Sequence, residues 1–194
     1  HELEYLSATS NGHLLLACTA QGDITDKYYI HGACILNIDI NGNLNWSWHS
    51  MDTYTFFNAR FATETPWGGF VLSGQADSTT ELPITIFDST GDFQGTYTSS
   101  GGYTNQRETI TFDESNNMLR LMSGRNSDYP ELLSTTQYGS TEVIKVFSEL
   151  KHNYSSPASL TRSKDGGLLT LFSEAQSGNN KDIVIMKTNM EGNM

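Results

Sequence analysis

The 194-residue chain carries 22 acidic and 11 basic residues, which gives a formal net charge of −11. This charge repels the phosphate backbone of nucleic acids and the surface of anionic membranes, so we expect neither as a partner. With 17 Gly, 9 Tyr, 9 Phe, 3 Trp and only 4 Pro, the composition is typical of short strands joined by turns, and it predicts an all-β protein. The sequence contains no run of eighteen apolar residues, which argues against insertion into a membrane.

Candidate strands follow one another along the whole chain. They are predicted at 3–9, 13–20, 33–40, 43–49, 57–63, 70–75, 84–88, 93–98, 108–112, 118–124, 131–136, 142–147, 159–162, 168–172 and 182–188. The alternation of polar and apolar residues on both sides of Asn41-Gly42 predicts a hairpin there, because both residues tolerate positive φ. No segment has the period and caps of a sustained helix, so we expect almost no helix.

The strands form a repeat. Turn glycines recur at spacings of 49, 48 and 53 residues, at Gly42, Gly91, Gly139 and Gly192. The residues that open the next apolar strand follow the preceding turn glycine by 27, 26 and 28 residues, at Gly69, Asn117 and Gly167. The two spacings together divide the chain into units at about 1–50, 51–99, 100–148 and 149–194, and the last unit stops before a fourth strand.

A single sheet of four short strands cannot bury both of its faces, so the units are expected to stack. The repeat length favours the blades of a β-propeller, with a β-sandwich or a solenoid as the alternatives. We therefore predict an all-β, β-propeller-type repeat of four-stranded antiparallel blades, with about four blade units and the last one incomplete. The missing strand suggests a segment of a longer propeller, or a homo- or hetero-oligomer in which another chain completes the last blade.

Short motifs in these units resemble the blades of bacterial secreted and surface β-propellers. The blades start a strand after Gly-Gly and carry an Asp-x-Asn-Gly-Asn turn, seen here as Asp165-Gly166-Gly167, as Gly68-Gly69 before 70–74, and as 39–43 followed by Trp46. The resemblance implies a secreted, periplasmic or cell-surface protein. It implies a scaffold for binding more than any one activity. The absence of a starting Met fits a processed secreted protein or a trimmed chain.

The longer connections are all predicted at the end of the blades opposite the tight turns, where loops on a rigid scaffold usually carry binding. We expect a glycan or a protein to bind there, because tyrosine offers apolar area with a hydrogen-bonding tip and arginine anchors carboxylates. The predicted ligand-binding residues are Tyr28, Tyr29, Tyr54, Tyr103, Arg107, Arg125, Tyr129 and Tyr154. The alternative is that these tyrosines wedge adjacent blades together and that the arginines form structural ion pairs.

Catalysis has weaker support than binding. The loop carboxylates that would serve a glycosidase are Asp23, Asp26, Asp52, Asp77, Glu81 and Asp128, but acidic loops are ordinary in a chain of this charge. We therefore name no catalytic residue, and we expect no metal and no cofactor. A structural subunit of a surface assembly and a propeller glycosidase remain the alternatives to a non-enzymatic binding scaffold.

The two cysteines, Cys18 and Cys34, are too few for a disulfide framework and lack the spacing of a zinc site. Both lie in apolar runs that are expected to form neighbouring strands. The sequence leaves open whether they are two buried thiols or one cross-strand disulfide.

Overall fold

A computed structural model describes residues 2–25, 28–50, 58–75, 81–100, 109–122, 129–150, 156–175 and 181–194. All fifteen strands predicted from the sequence are present, and the described ranges contain almost no helix. Three antiparallel sheets have four strands each, and the fourth has three, always with neighbouring strands in chain order. These sheets confirm the predicted fold class, an all-β, propeller-type repeat with an incomplete last blade.

The chain forms two compact units, His1–Ser99 and Ser100–Met194. In the first unit, blade 1 contains β1 (Glu2–Ala8), β2 (Leu14–Thr25), β3 (Tyr28–Ile38) and β4 (Leu44–His49), and blade 2 contains β5 (Asn58–Glu64), β6 (Phe70–Gln75), β7 (Glu81–Phe87) and β8 (Phe93–Ser100). In the second unit, blade 3 contains β9 (Ile110–Phe112), β10 (Met118–Met122), β11 (Glu131–Thr135) and β12 (Thr141–Val146), and blade 4 contains β13 (Ser156–Arg162), β14 (Leu168–Ala175) and β15 (Lys181–Thr188).

Eight tight turns in the described ranges share one backbone pattern. The first residue of each turn accepts a hydrogen bond from the amide three residues on and donates one to the carbonyl four residues on, with lengths of 2.8 to 3.1 Å. These first residues are Thr9, Asp39, Thr65, Asp88, Asp113, Thr136, Ser163 and Asn189. The residue three positions on has a φ between +65° and +88°, which is the left-handed region that glycine enters without steric cost. The four predicted turn glycines all occupy this position.

The two blades of the first unit pack face to face. Blade 1 contributes Leu15, Ala17 and Ile35 to the core between them, and blade 2 contributes Ala62 and Leu72. Tryptophans on β4 reinforce this junction, because the ring of Trp48 lies 5.2 Å from that of Phe87 and the ring of Trp46 lies 5.1 Å from that of Phe70. We call the face of blade 1 that packs on blade 2, and the face at the equivalent repeat positions of every other blade, the leading face, and we call the opposite face the trailing face.

The second unit repeats this junction. The leading face of blade 3, with Leu119 and Leu132, packs on the trailing face of blade 4, with Leu168 and Phe172. An aromatic pair again reinforces it, with 5.3 Å between the rings of Phe147 and Phe172. The two units therefore use the same kind of junction, leading face against trailing face.

One predicted loop is corrected by the structure. The sequence leaves residues 21–31 as a connection between the predicted strands 13–20 and 33–40, but β2 continues to Thr25 and β3 begins at Tyr28, with Thr25 opposite Tyr28 and Asp23 opposite Tyr29. The physical reason is that β-branched and aromatic residues such as Ile24 and Tyr29 favour strand over loop once a partner strand lies beside them.

The structure has Cys18 and Cys34 as two buried, reduced thiols, directly opposite each other across β2 and β3. Burial raises the pKa of both, that of Cys34 to about 11, with a smaller effect from Cys18. The neutral thiol is therefore the stable form of both at neutral pH.

Candidate functional site

Most of the predicted recognition residues lie outside the described residues, namely Tyr54, Tyr103, Arg107, Arg125 and Tyr154. Tyr28 and Tyr29 open strand β3, where the backbone alone is described. Tyr129 lies just before β11 and is partly buried. The tyrosine recognition face therefore stays a prediction.

The carboxylates considered for glycosidase chemistry have a similar distribution. Asp26, Asp52, Asp77 and Asp128 lie outside the described residues, and Asp23 and Glu81 belong to the strands β2 and β7. Within the described part of the chain, no three or more His, Cys, Asp or Glu side chains gather as a metal site would require. The same residues include no helix of the length and hydropathy needed to cross a membrane.

A feature that the structure does describe is an exposed leading face on blade 4. The third strand of each blade carries an apolar residue four positions before the turn: Ile35, Ile84, Leu132 and Ile185. This side chain is 0 to 1 % exposed in blades 1 to 3, but Ile185 in blade 4 is 69 % exposed. The position that is buried in three blades is thus open to solvent in the fourth.

The residues around Ile185 extend this exposed surface. Ile183 lies two positions earlier on the same face and is 73 % exposed. In the register of β14 and β15, Ile185 lies opposite Leu171 and Lys187 opposite Leu169, so these leucines share the face. We call Leu169, Leu171, Ile183 and Ile185 the leading patch of blade 4.

In blade 1 the trailing face is the exposed one. The first strand of each blade carries an apolar residue three positions before the turn: Leu6, Ala62, Ile110 and Leu160. The last three are 0 to 5 % exposed, whereas Leu6 is 52 % exposed. Leu6 pairs with Leu16, and Leu3 with Cys18, so all of them lie on the trailing face of blade 1. We call Leu3, Leu6, Leu14 and Leu16 the trailing patch of blade 1.

The leading patch also borders an open strand edge. In the described residues β15 pairs with β14 alone, whereas the third strand of each other blade pairs on both sides. The edge of β15 therefore has no described fourth strand beside it. This agrees with the incomplete last blade expected from the sequence.

The turn end of blade 4 forms an open cleft beside this patch. Its volume is about 540 Å³, and its lining includes Asp165, Lys187, Asn189 and Met194. Lys187 forms an ion pair with Asp165, which also accepts a hydrogen bond from the hydroxyl of Ser163. These hydrogen bonds lower the pKa of Asp165 to about 2, and the bond from Lys187 has the largest effect. The cleft thus gives the leading patch a polar rim.

Sequence reasoning identified the missing strand but missed the two exposed patches. The alternation of Ile183 and Ile185 along β15 looks the same as that of Ile84 and Ile86 along β7, which is a buried pair. The available signal was the position of each residue in the repeat, because residues at equivalent positions are expected to be equally buried.

The sequence matches no protein-family model, and no curated protein matches it significantly. The resemblance to bacterial secreted propellers therefore rests on the motifs in the chain itself.

Proposed function

We propose that this protein is a non-enzymatic scaffold that works in an assembly, in which another polypeptide covers the leading patch of blade 4. The observation that carries this proposal is the exposure of Ile185, 69 % against 0 to 1 % at the three equivalent positions. In blades 1 and 3 the leading face, which carries the equivalent residues, is an interface with the next blade. The leading patch of blade 4 would therefore also serve as an interface.

Burial of the exposed aliphatic side chains on blade 4 would be favourable, because it removes apolar surface from water. Full burial of an isoleucine stabilises a protein by roughly 1.5 to 3 kcal/mol, and Ile183 and Ile185 are both mostly exposed. Contiguous apolar surface on a soluble protein commonly marks a site of interaction. A partner that covers both side chains would recover this free energy.

The open edge of β15 supports the same proposal. An edge strand presents backbone amides and carbonyls that a strand of another polypeptide can pair with. Since the edge adjoins Ile183 and Ile185, one partner sheet would satisfy the backbone and cover the apolar side chains together.

The double variant Ile183→Glu/Ile185→Glu tests the proposal in the cell that produces the protein. We expect the tagged wild-type chain to run above its single-chain mass in native size analysis, and the variant to run at that mass, because buried unpaired carboxylates are strongly unfavourable. The matched control is Ile40→Glu at the turn between β3 and β4, where Ile40 is 78 % exposed, and it should behave as wild type. A wild-type chain at single-chain mass, or a variant that stays assembled, would contradict the proposal.

A second candidate function is recognition of a glycan or a protein at the end of the blades opposite the tight turns. Tyr28 and Tyr29 begin β3, and Tyr129 lies just before β11, so these residues are at the ends of blades 1 and 3 opposite the turns that begin at Asp39 and Thr136. The resemblance to secreted propellers implies that either function operates outside the cytoplasm, which fractionation of the producing cell checks.

Alanine substitution of Tyr54, Tyr103 and Tyr154, one at a time, tests the recognition candidate. If the wild type binds on a glycan or peptide array, at least one variant should lose about tenfold or more in affinity while its circular dichroism is unchanged. Tyr138→Ala is the matched control, because Tyr138 is an exposed tyrosine in a tight turn. Unchanged binding by all three variants would disprove the tyrosine face.

A further inference from the structure

We infer that Cys18 and Cys34 are a site of oxidative modification, at which a small disulfide such as glutathione disulfide converts the two thiols into one disulfide bond inside blade 1. The proposed scaffold function does not involve either cysteine. Both belong to one sheet of the first unit, because β2 and β3 are neighbouring strands of blade 1. The geometry of the site therefore depends on the pairing of these two strands alone.

The register of β2 and β3 brings the two cysteines together. They are directly opposite each other, in a stretch from Leu14 to Asp23 over which the pairing has no irregularity. Residues that face each other in an antiparallel pair have their side chains on the same face and their Cα atoms about 4.5 or about 5.5 Å apart. A disulfide spans Cα separations of about 4.4 to 6.8 Å. The bond can therefore form while the two strands keep their register.

The surroundings of the pair favour a bond within the chain. Each cysteine is 7 % exposed, which leaves little room in the folded blade for a bound glutathione or for a second chain. Burial, and to a smaller extent the neighbouring Cys18, raises the pKa of Cys34 to about 11. A thiolate is therefore unfavourable here, whereas a disulfide has no charge to desolvate. The buried site suits the oxidised pair.

The reaction is thiol–disulfide exchange in two steps. The thiolate of one cysteine attacks a sulfur of glutathione disulfide, so that the bond between the two glutathione sulfurs breaks and a mixed disulfide forms on the protein. The thiolate of the other cysteine then attacks the cysteine sulfur of this mixed disulfide and releases the second glutathione. The protein loses two electrons and two protons, and the glutathione disulfide gains them to become two thiols. Because the thiolate is the reactive form and burial disfavours it, we expect the exchange to take place as the chain folds.

The bond would tie β3 to β2 at the point where β4 ends. In the described residues, β4 pairs with β3 as far as Cys34, which lies opposite His49, while the pairing of β3 with β2 continues to Tyr28. On this part of the described chain, β2 is the strand that holds the beginning of β3. The bond also closes the loop 18–34 and so reduces the conformational entropy of the unfolded chain. Oxidation is therefore expected to stabilise blade 1.

Refolding of the reduced whole chain tests the inference without any substitution. The chain is unfolded in urea, diluted into a buffer of reduced and oxidised glutathione, and treated with an alkylating reagent that traps the remaining thiols. We expect a mass lower than that of the reduced chain by two hydrogen atoms, and a pair of peptides linked through Cys18 and Cys34. In urea unfolding followed by tryptophan fluorescence, oxidation should lower the unfolding equilibrium constant of the first unit about tenfold or more.

The matched control is Leu16→Cys/Cys18→Leu, which keeps the composition of the chain. Leu16 lies opposite Leu36, so this variant places its thiol diagonal to Cys34 on the same face. Diagonal neighbours are about 7 to 8 Å apart, which is beyond the reach of a disulfide. We expect the variant, if its circular dichroism shows that it is folded, to form no bond within the chain.

The inference is wrong if the refolded wild-type chain keeps both thiols, carries glutathione, or becomes linked to another chain. It is equally wrong if the folded control variant forms the internal bond as readily as wild type does, or if oxidation does not stabilise the first unit. The mass of the wild-type chain decides the question even where the control variant does not fold.

Discussion

Two glycines show how much a single residue contributes to the junction between blades 1 and 2. Gly42 and Gly91 occupy the same turn position, both with a φ of +88°. A Cβ atom on Gly42 would meet nothing within 4 Å, whereas one on Gly91 would lie 2.3 Å from the ring of Trp46. Gly91 is therefore needed for two reasons, its positive φ and the close approach of a tryptophan from the neighbouring blade.

We predict that Gly91→Ala destabilises the first unit more than Gly42→Ala does. Both variants incur the strain of alanine at positive φ, about 1 to 2 kcal/mol, and Gly91→Ala adds a cost of overpacking of about 1 to 3 kcal/mol. Tryptophan fluorescence during urea unfolding measures this difference for the first unit alone, because Trp46, Trp48 and Trp67 are all in His1–Ser99. Equal losses for the two variants would show that Trp46 does not rest on the turn of blade 2.

At the scale of elements, the sequence predicts the strands well because their signals are local. Alternating side chains and turn residues such as Gly42 and Gly139 specify where a strand runs and where the chain reverses. The exception was the hairpin of β2 and β3, where Gly22 and Asp23 look like turn formers. The long pairing of the two strands overrides that local preference.

The coverage of a strand face depends on a neighbouring blade and cannot be read from the strand itself. Ile84 and Ile185 have the same residue type and the same repeat position, yet one is buried and the other exposed. The sequence therefore predicts a site at the tyrosine-bearing connections, whereas the described residues contain two exposed apolar patches. A comparison of equivalent positions in the repeat identifies the patches, because it shows which residues are expected to be equally buried and are not.

At the scale of the whole molecule, some of the carboxylates that contribute to the net charge of −11 accept hydrogen bonds that stabilise turns. Hydrogen bonds from Asn43 lower the pKa of Asp39, and hydrogen bonds from Thr90 and Asp92 lower that of Asp88. Lys187 and Ser163 lower that of Asp165 further. Because these carboxylates titrate at lower pH in the folded state than in the unfolded chain, their stabilising effect is complete above the ordinary pKa near 4 and is lost as the pH falls through the folded value.

We therefore predict that the melting temperature, followed by circular dichroism, changes little between about pH 7 and pH 5 and falls between about pH 4 and pH 2. Asp165→Asn should lower the melting temperature at neutral pH, because it removes the charge that Lys187 and Ser163 bind. The difference from wild type should shrink as the pH approaches the folded pKa of Asp165, about 2, where the wild-type carboxylate is itself becoming neutral. A constant difference between Asp165→Asn and wild type down to pH 2 would mean that the ionised carboxylate does not stabilise this turn.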